Sequence, residues 1–167
     1  MKRFYYLLII SFMLIGCTQN LSQSERIALE NYESYYNVTL NHQNTQSKSE
    51  YYSIEGVITK LEDGSYRYDI FIDQPLIAMR DVIVMVVEDE LEFNDQDNIM
   101  PSLGIFDTAV NLYPNQVDTS LYFYKGINLN SVIDNKSVAL RVMVEFTNSS
   151  RDASYHEVIE MKLSYED

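Results

Sequence analysis

The chain has 167 residues, with 25 acidic side chains against 12 basic ones and a formal charge of −13. So acidic a body is repelled by polyphosphate, which excludes DNA and RNA as partners, and it is repelled by anionic lipid headgroups as well. A single cysteine leaves no intrachain disulfide, so apolar burial alone has to hold the fold.

Lys2 and Arg3 give a positive start, and residues 4–15 are then apolar apart from Ser11. A run of roughly 12 residues is too short for a bilayer core, which takes about 20. Behind a charged start it has the form of a signal-peptide hydrophobic region. The run ends in Leu14-Ile15-Gly16-Cys17, which resembles the lipobox of bacterial lipoproteins. That resemblance covers residues 1–17 only. It implies a diacylglyceryl thioether on Cys17, cleavage between Gly16 and Cys17, and attachment to the cell membrane on its extracytoplasmic face. Two or more acyl chains, each contributing about 0.8 kcal/mol per buried methylene, anchor a protein stably. Cys17 is then an anchor and not a catalyst.

Removing residues 1–16 leaves 151 residues with a formal charge of −15, enough for one domain with a real core. Residues 17–24 read as a lipidated tether. Ser22-Gln23-Ser24-Glu25 fits a capping box, and Ile27, Leu29, Tyr32 and Tyr36 follow at helical spacing. The expectation is a helix of two or three turns from Arg26 to Tyr36, with a strand opening over Tyr35 to Leu40. Asn41 to Glu50 is polar and aperiodic, so residues 25–50 are a short helix and a loop ahead of a sandwich over 51–167.

Asp63-Gly64 lies between two alternating runs, a strong hairpin signal. A two-residue loop pairs Leu61 with Tyr66, Thr59 with Tyr68 and Val57 with Ile70, placing these six inward and Arg67 outward. Val82 to Val87 is continuously apolar and reads as a central strand. Pro101 and Gly104 break the next apolar stretch, leaving a short or bulged strand near Leu103 to Asp107. Leu121 to Tyr124 reads as a strand followed by a turn at Lys125-Gly126. Val138 to Phe146 and Ile159 to Tyr165 alternate cleanly. About seven strands with no helical periods between them predict an all-β, antiparallel, immunoglobulin-like β-sandwich behind a short N-terminal helix, with a small β-barrel as the alternative. The Cys-Trp-Cys pattern of antibody domains is absent, so the expectation is an architecture and no family.

Chemistry-bearing patterns are sparse. His42 and His156 stand outside any metal-ligand spacing and are expected at the surface. No nucleophile elbow or phosphate loop occurs, and no cofactor is implied. One stretch departs from the background: Glu88 to Asn98 (EDELEFNDQDN), with no Lys or Arg between Arg80 and Lys125. Oxygen-rich flexible loops suit calcium, which makes Glu90, Asp95 and Asp97 weak candidate ligands. The plainer expectation is a solvated connection whose charges discourage aggregation after a very apolar strand. The functional expectation is a membrane-anchored, non-catalytic binding or accessory module, its acidity favouring a basic protein partner. The alternatives are a calcium-linked adhesin or surface module and a secreted hydrolase using a carboxylate pair.

Overall fold

The computed structural model describes residues 22–89, 91–95 and 98–166. Among these residues helix α1 spans Gln23–Leu40, and nine strands follow: β1 (Ser53–Lys60), β2 (Tyr66–Asp73), β3 (Met79–Glu88), β4 (Ser102–Leu103), β5 (Val110–Leu112), β6 (Phe123–Tyr124), β7 (Gly126–Ile133), β8 (Ser137–Thr147) and β9 (Ser154–Ser164). One sheet runs β1-β2-β7. The other runs β6-β5-β3-β8-β9, with β4 also paired to β3. The order β1-β2-β7 against β9-β8-β3-β5 corresponds to A-B-E against G-F-C-C′ in an immunoglobulin-like Greek key. β1 packs near β9 on one side. Beside β7 the sheets do not join, which makes the fold a sandwich and not a barrel.

The capping box forms as the sequence predicts. Ser22 Oγ accepts from the Glu25 N–H at 3.2 Å, and the Ser22 N–H donates to Glu25 Oε2 at 2.7 Å. The helix does not stop at Tyr36, and the strand expected over Tyr35 to Leu40 is instead its last turn and a half. Tertiary burial overrides the weak helix propensity of that segment. Tyr32, Tyr36 and Leu40 pack on Met85, Val87, Met100, Met143 and Val158, on the outer side of β3, β8 and β9. Burying each such apolar side chain is worth about 1.5–3 kcal/mol. β3 and β8 therefore lie between the helix and the sandwich core, which explains why Val84 to Val87 are all fully buried.

The hairpin register differs by one residue from the expected one. Lys60 pairs with Tyr66, Ile58 with Tyr68 and Gly56 with Ile70. The Gly64 N–H donates to Leu61 O at 3.1 Å and the Leu61 N–H to Ser65 O at 2.8 Å, with Gly64 at φ +91°. That is a three-residue loop, a type I turn closed by a left-handed glycine at a bulge. The β2 face is as expected, with Tyr68, Ile70 and Ile72 buried and Arg67 exposed, but the slip reverses β1. Ile58 points inward, and Val57 is 49% exposed.

β3, β8 and β9 match their predicted runs. β5 lies beyond the expected Leu103 to Asp107 strand, which is reduced to the two residues of β4. Leu121 ends a 3₁₀ turn (Thr119–Leu121), and only Phe123–Tyr124 is strand, parallel to β5. β7 forms where the sequence pattern carries no strand signal. Its start is fixed by close approach: a Cβ on Gly126 would lie 2.6 Å from Asp73 Cβ and 3.0 Å from Ile72 O.

Candidate functional site

Two grooves lie beside the first half of β7, both lined in part by Gly126, Ile127 and Asn128, and together they are termed the trough. The first, about 720 Å³, is walled by Phe71, Gln74, Pro75, Leu76, Asn115 and Lys125. The second, about 790 Å³, runs over Leu103, Asp107, Val110, Tyr122, Tyr124 and Leu129. Leu76 is 72% exposed at its rim, an apolar side chain with little of its surface covered.

The chain around the trough is conformationally loaded. Among the described residues, five that are not glycine have positive φ. Gln74 (48°) and Asn115 (59°) line the first groove and Tyr122 (56°) lines the second. A left-handed residue costs of order 1–3 kcal/mol, and such strain collects where a surface is shaped for use. The turn ahead of Tyr122 is locked by Asp118, whose Oδ1 accepts from the Ser120 N–H at 3.1 Å and Oγ at 2.6 Å. Backbone bonds from Asn111 N–H to Tyr122 O (2.8 Å) and from Tyr113 N–H to Tyr124 O (3.0 Å) fix the aromatic wall to β5. The other two positive-φ residues, Asp81 and Arg151, stand apart and hold each other in a two-pronged ion pair at 2.7 and 3.2 Å.

β7 is unlike the other sheet edges. Natural edge strands are blunted by charge, proline, covering or brevity. β1 carries Glu55 and Lys60. β9 carries Glu160 and Lys162, and Gln46 covers part of it: its N–H donates to Val158 O and its carbonyl accepts from the Glu160 N–H, both at 2.8 Å. β4 and β6 have two residues each. β7, with eight residues (GINLNSVI), has neither charge nor proline.

Of the residues singled out from sequence, Cys17, Glu90 and Asp97 lie outside the described residues. Asp95 is exposed in a 3₁₀ turn (Phe93–Asp95), its N–H on Glu92 O at 3.0 Å. The described residues ahead of Asn94 in the acidic stretch are more firmly attached than a free solvated connection. Phe93 packs its ring 5.5 Å from that of Tyr36, and the Tyr36 hydroxyl donates to Leu91 O at 2.7 Å. Asp89 is engaged by Arg141 at 3.0 Å. Glu88 is half-buried, and desolvation raises its pKa above the ordinary carboxylate value.

His42 and His156, remote in sequence, lie with ring centroids 5.5 Å apart, and His156 Nδ1 is 3.4 Å from Glu145 Oε2. Among the described residues no three His, Cys, Asp or Glu side chains gather as a metal site would require. A second buried polar corner joins Ser49 Oγ to Glu157 Oε2 at 2.7 Å, and burial pushes the neighbouring Tyr52 hydroxyl up in pKa. It ties the loop before β1 to β9. Among the described residues no helix is long and apolar enough to cross a membrane.

No known family model and no curated protein sequence matches the chain. A solved structure described as the X-ray structure of Northeast Structural Genomics Consortium target SoR45 is similar over 73% of this chain and 89% of that one, at 12% identity and a TM-score of 0.39. At that level the likeness carries no functional information.

Proposed function

We propose that the chain is a lipid-anchored, extracytoplasmic, non-catalytic binding module that presents the trough along β7 to a protein partner. The observation that carries this reading is the uncharged eight-residue edge of β7 opening onto that trough. Support for the anchor is the Leu14-Ile15-Gly16-Cys17 pattern behind a charged, apolar leader. Support for binding over hydrolysis is the lining of the trough. Each groove contributes a single carboxylate, Asp73 in one and Asp107 in the other, among apolar, aromatic and amide side chains, the hydroxyls of Ser102 and Thr108, and Lys125. Glycoside hydrolysis needs two carboxyl groups facing one bond.

Two measurements test the reading. Cys17→Ser is expected to release the protein to the medium or to leave it unprocessed, and wild-type processing and fractionation would refute the anchor. For the trough, a Leu76→Asp/Tyr122→Asp variant with an unchanged melting temperature is expected to lose a membrane protein that co-isolates with the wild type. An identical co-isolated set would refute the site.

A further inference from the structure

Resting on that reading of the trough, we infer that its ligand is an extended segment of a partner protein, added as a strand beside β7 with apolar and basic side chains in alternation. The hydrogen-bonding phase of the sheet can be followed outward from the hairpin. The Leu61 N–H bonds to Ser65 O. Antiparallel pairs alternate between bonded and non-bonded, so the bonded pairs continue as Thr59 with Arg67 and Val57 with Asp69. The intervening residues of β2, from Tyr66 to Ile72, turn their peptide groups to β7. There they meet Ile133, Ser131, Leu129 and Ile127. The N–H and C=O groups of Asn128, Asn130 and Val132 therefore point outward from the open edge of the sheet, those of Asn128 and Asn130 beside the trough. Among the described residues no backbone bond from another element reaches these three.

A strand pairing with them would occupy the position of strand D in the four-stranded A-B-E-D sheet of immunoglobulin domains, a position this chain leaves open by sending its β4, β5 and β6 to the side of β3. The two faces of such a strand meet different surroundings. Side chains turned inward enter the gap over Leu103, Val110, Tyr124 and Leu129, which takes apolar groups. Side chains turned outward join the exposed face of the β1-β2-β7 sheet. That face carries Glu55, Asp69 and Asp73 against Arg67, with Lys125 at its end in the groove that Asp73 lines, and Asp69 is already satisfied by Arg67 at 2.9 Å and by Asn128 at 3.0 Å. The unmatched charge on this face is thus negative, within a chain of net −13. A basic row complements it locally and is steered to it from a distance. Main-chain pairing supplies affinity and the alternate pockets supply selectivity.

The test is amide hydrogen exchange by NMR on the full-length protein in detergent micelles, with a synthetic octapeptide of alternating Val and Lys as the probe. Exchange at Asn128, Asn130 and Val132 is expected to slow at least about tenfold on binding, while Ile127, Leu129 and Ser131, already bonded to β2, stay as they were. An alternating Val and Glu octapeptide is expected to bind at least about tenfold more weakly, and Asn130→Pro, which removes an outward donor and spares the ladder to β2, to weaken the Val and Lys peptide similarly. Binding without slowed exchange at the three amides overturns strand addition while leaving the trough as a site. Equal affinity for both peptides overturns the basic ligand, and no binding of either overturns the inference. Slowing that grows with protein concentration in the absence of peptide would make a second copy of the chain the occupant and overturn it too. The co-isolation experiment above reports on the trough independently of every one of these outcomes.

Discussion

Replacing Arg141 with methionine tests how α1 is held at its carboxyl end. The last turn of the helix contains no basic residue, and its C-cap, Asn41, is not a left-handed glycine. Arg141 on β8 supplies the missing positive group. Its Nη1 donates to Leu40 O and, at 3.3 Å, to His42 O, while Nε and Nη2 pair with Asp89 at 3.0 Å and Glu160 at 3.3 Å. Methionine keeps most of the aliphatic stem, so packing is largely preserved and the polar contribution is isolated. Each charge-assisted bond to a carbonyl is worth about 1.5–3 kcal/mol when partly buried, and the Arg141 side chain is 19% exposed. The two ion pairs reach carboxylates that are 28% and 47% exposed and add at most about 1 kcal/mol each. Non-additivity within one side chain brings the expected loss to about 2–4 kcal/mol. For a domain of this size that lowers the melting temperature by roughly 5–15 °C. Urea unfolding measures the loss, and hydrogen exchange in residues 37–40 shows whether it is felt there. Arg141→Lys should recover less than half, since one ammonium cannot span four partners. A loss below about 1 kcal/mol with unchanged exchange at the helix end would refute the capping role and leave the tyrosine packing as the whole attachment.

Gly64→Val should destabilise by about 1–2 kcal/mol in urea unfolding, purely from the left-handed backbone, since nothing lies within 4 Å of the added Cβ. Gly64→Asn should cost less than half of that, and equal costs would point to a steric cause. Glu88→Gln should raise the melting temperature at pH 7. Burial lifts the carboxyl pKa in the folded chain above its ordinary 4.5, so ionisation there costs stability as pH rises past that value. Below about pH 4, where both folded and unfolded states are protonated, the two proteins should melt alike, and a pH-independent difference would exclude desolvation as the cause.

The strands with regular alternation and apolar content were legible because burial on one face or both writes itself into the residue order, as in Val138 to Phe146. The start of α1 was legible through Ser22 and Glu25, which solve a local bonding problem. Its end was not. Tyr35 to Leu40 has strand-like composition, and what keeps it helical is the surface of β3 and β8 beneath Tyr36 and Leu40. The hairpin was found through Asp63-Gly64, but the dipeptide suits both a two-residue loop and a bulged three-residue one, and these differ by one step in register. β7 escaped because Asn128 and Asn130 dilute its apolar residues. Those asparagines face outward on an edge, where an amide side chain is no handicap. The trough was beyond reach, since its walls come from residues 71–76, 101–110, 114–115 and 122–130, brought together only by the Greek-key crossing.

The attachment of α1 also sets an order of events during synthesis. Among the described residues the helix is made before every strand, yet the guanidinium that caps it arrives 101 residues later. At the usual elongation rate of about 5–20 residues per second, roughly 5–20 s pass before that partner exists. The last turns of this 18-residue helix are rich in weak helix formers (YESYYNVTL) and gain little stability in isolation, and through that interval Tyr32, Tyr36 and Leu40 have no sheet to rest on. The nascent amino-terminal segment is therefore exposed to chaperones and proteases until β8 pairs with β3. Mutations in β8 are expected to prolong that exposure and to lower yield by more than their effect on the stability of the finished protein.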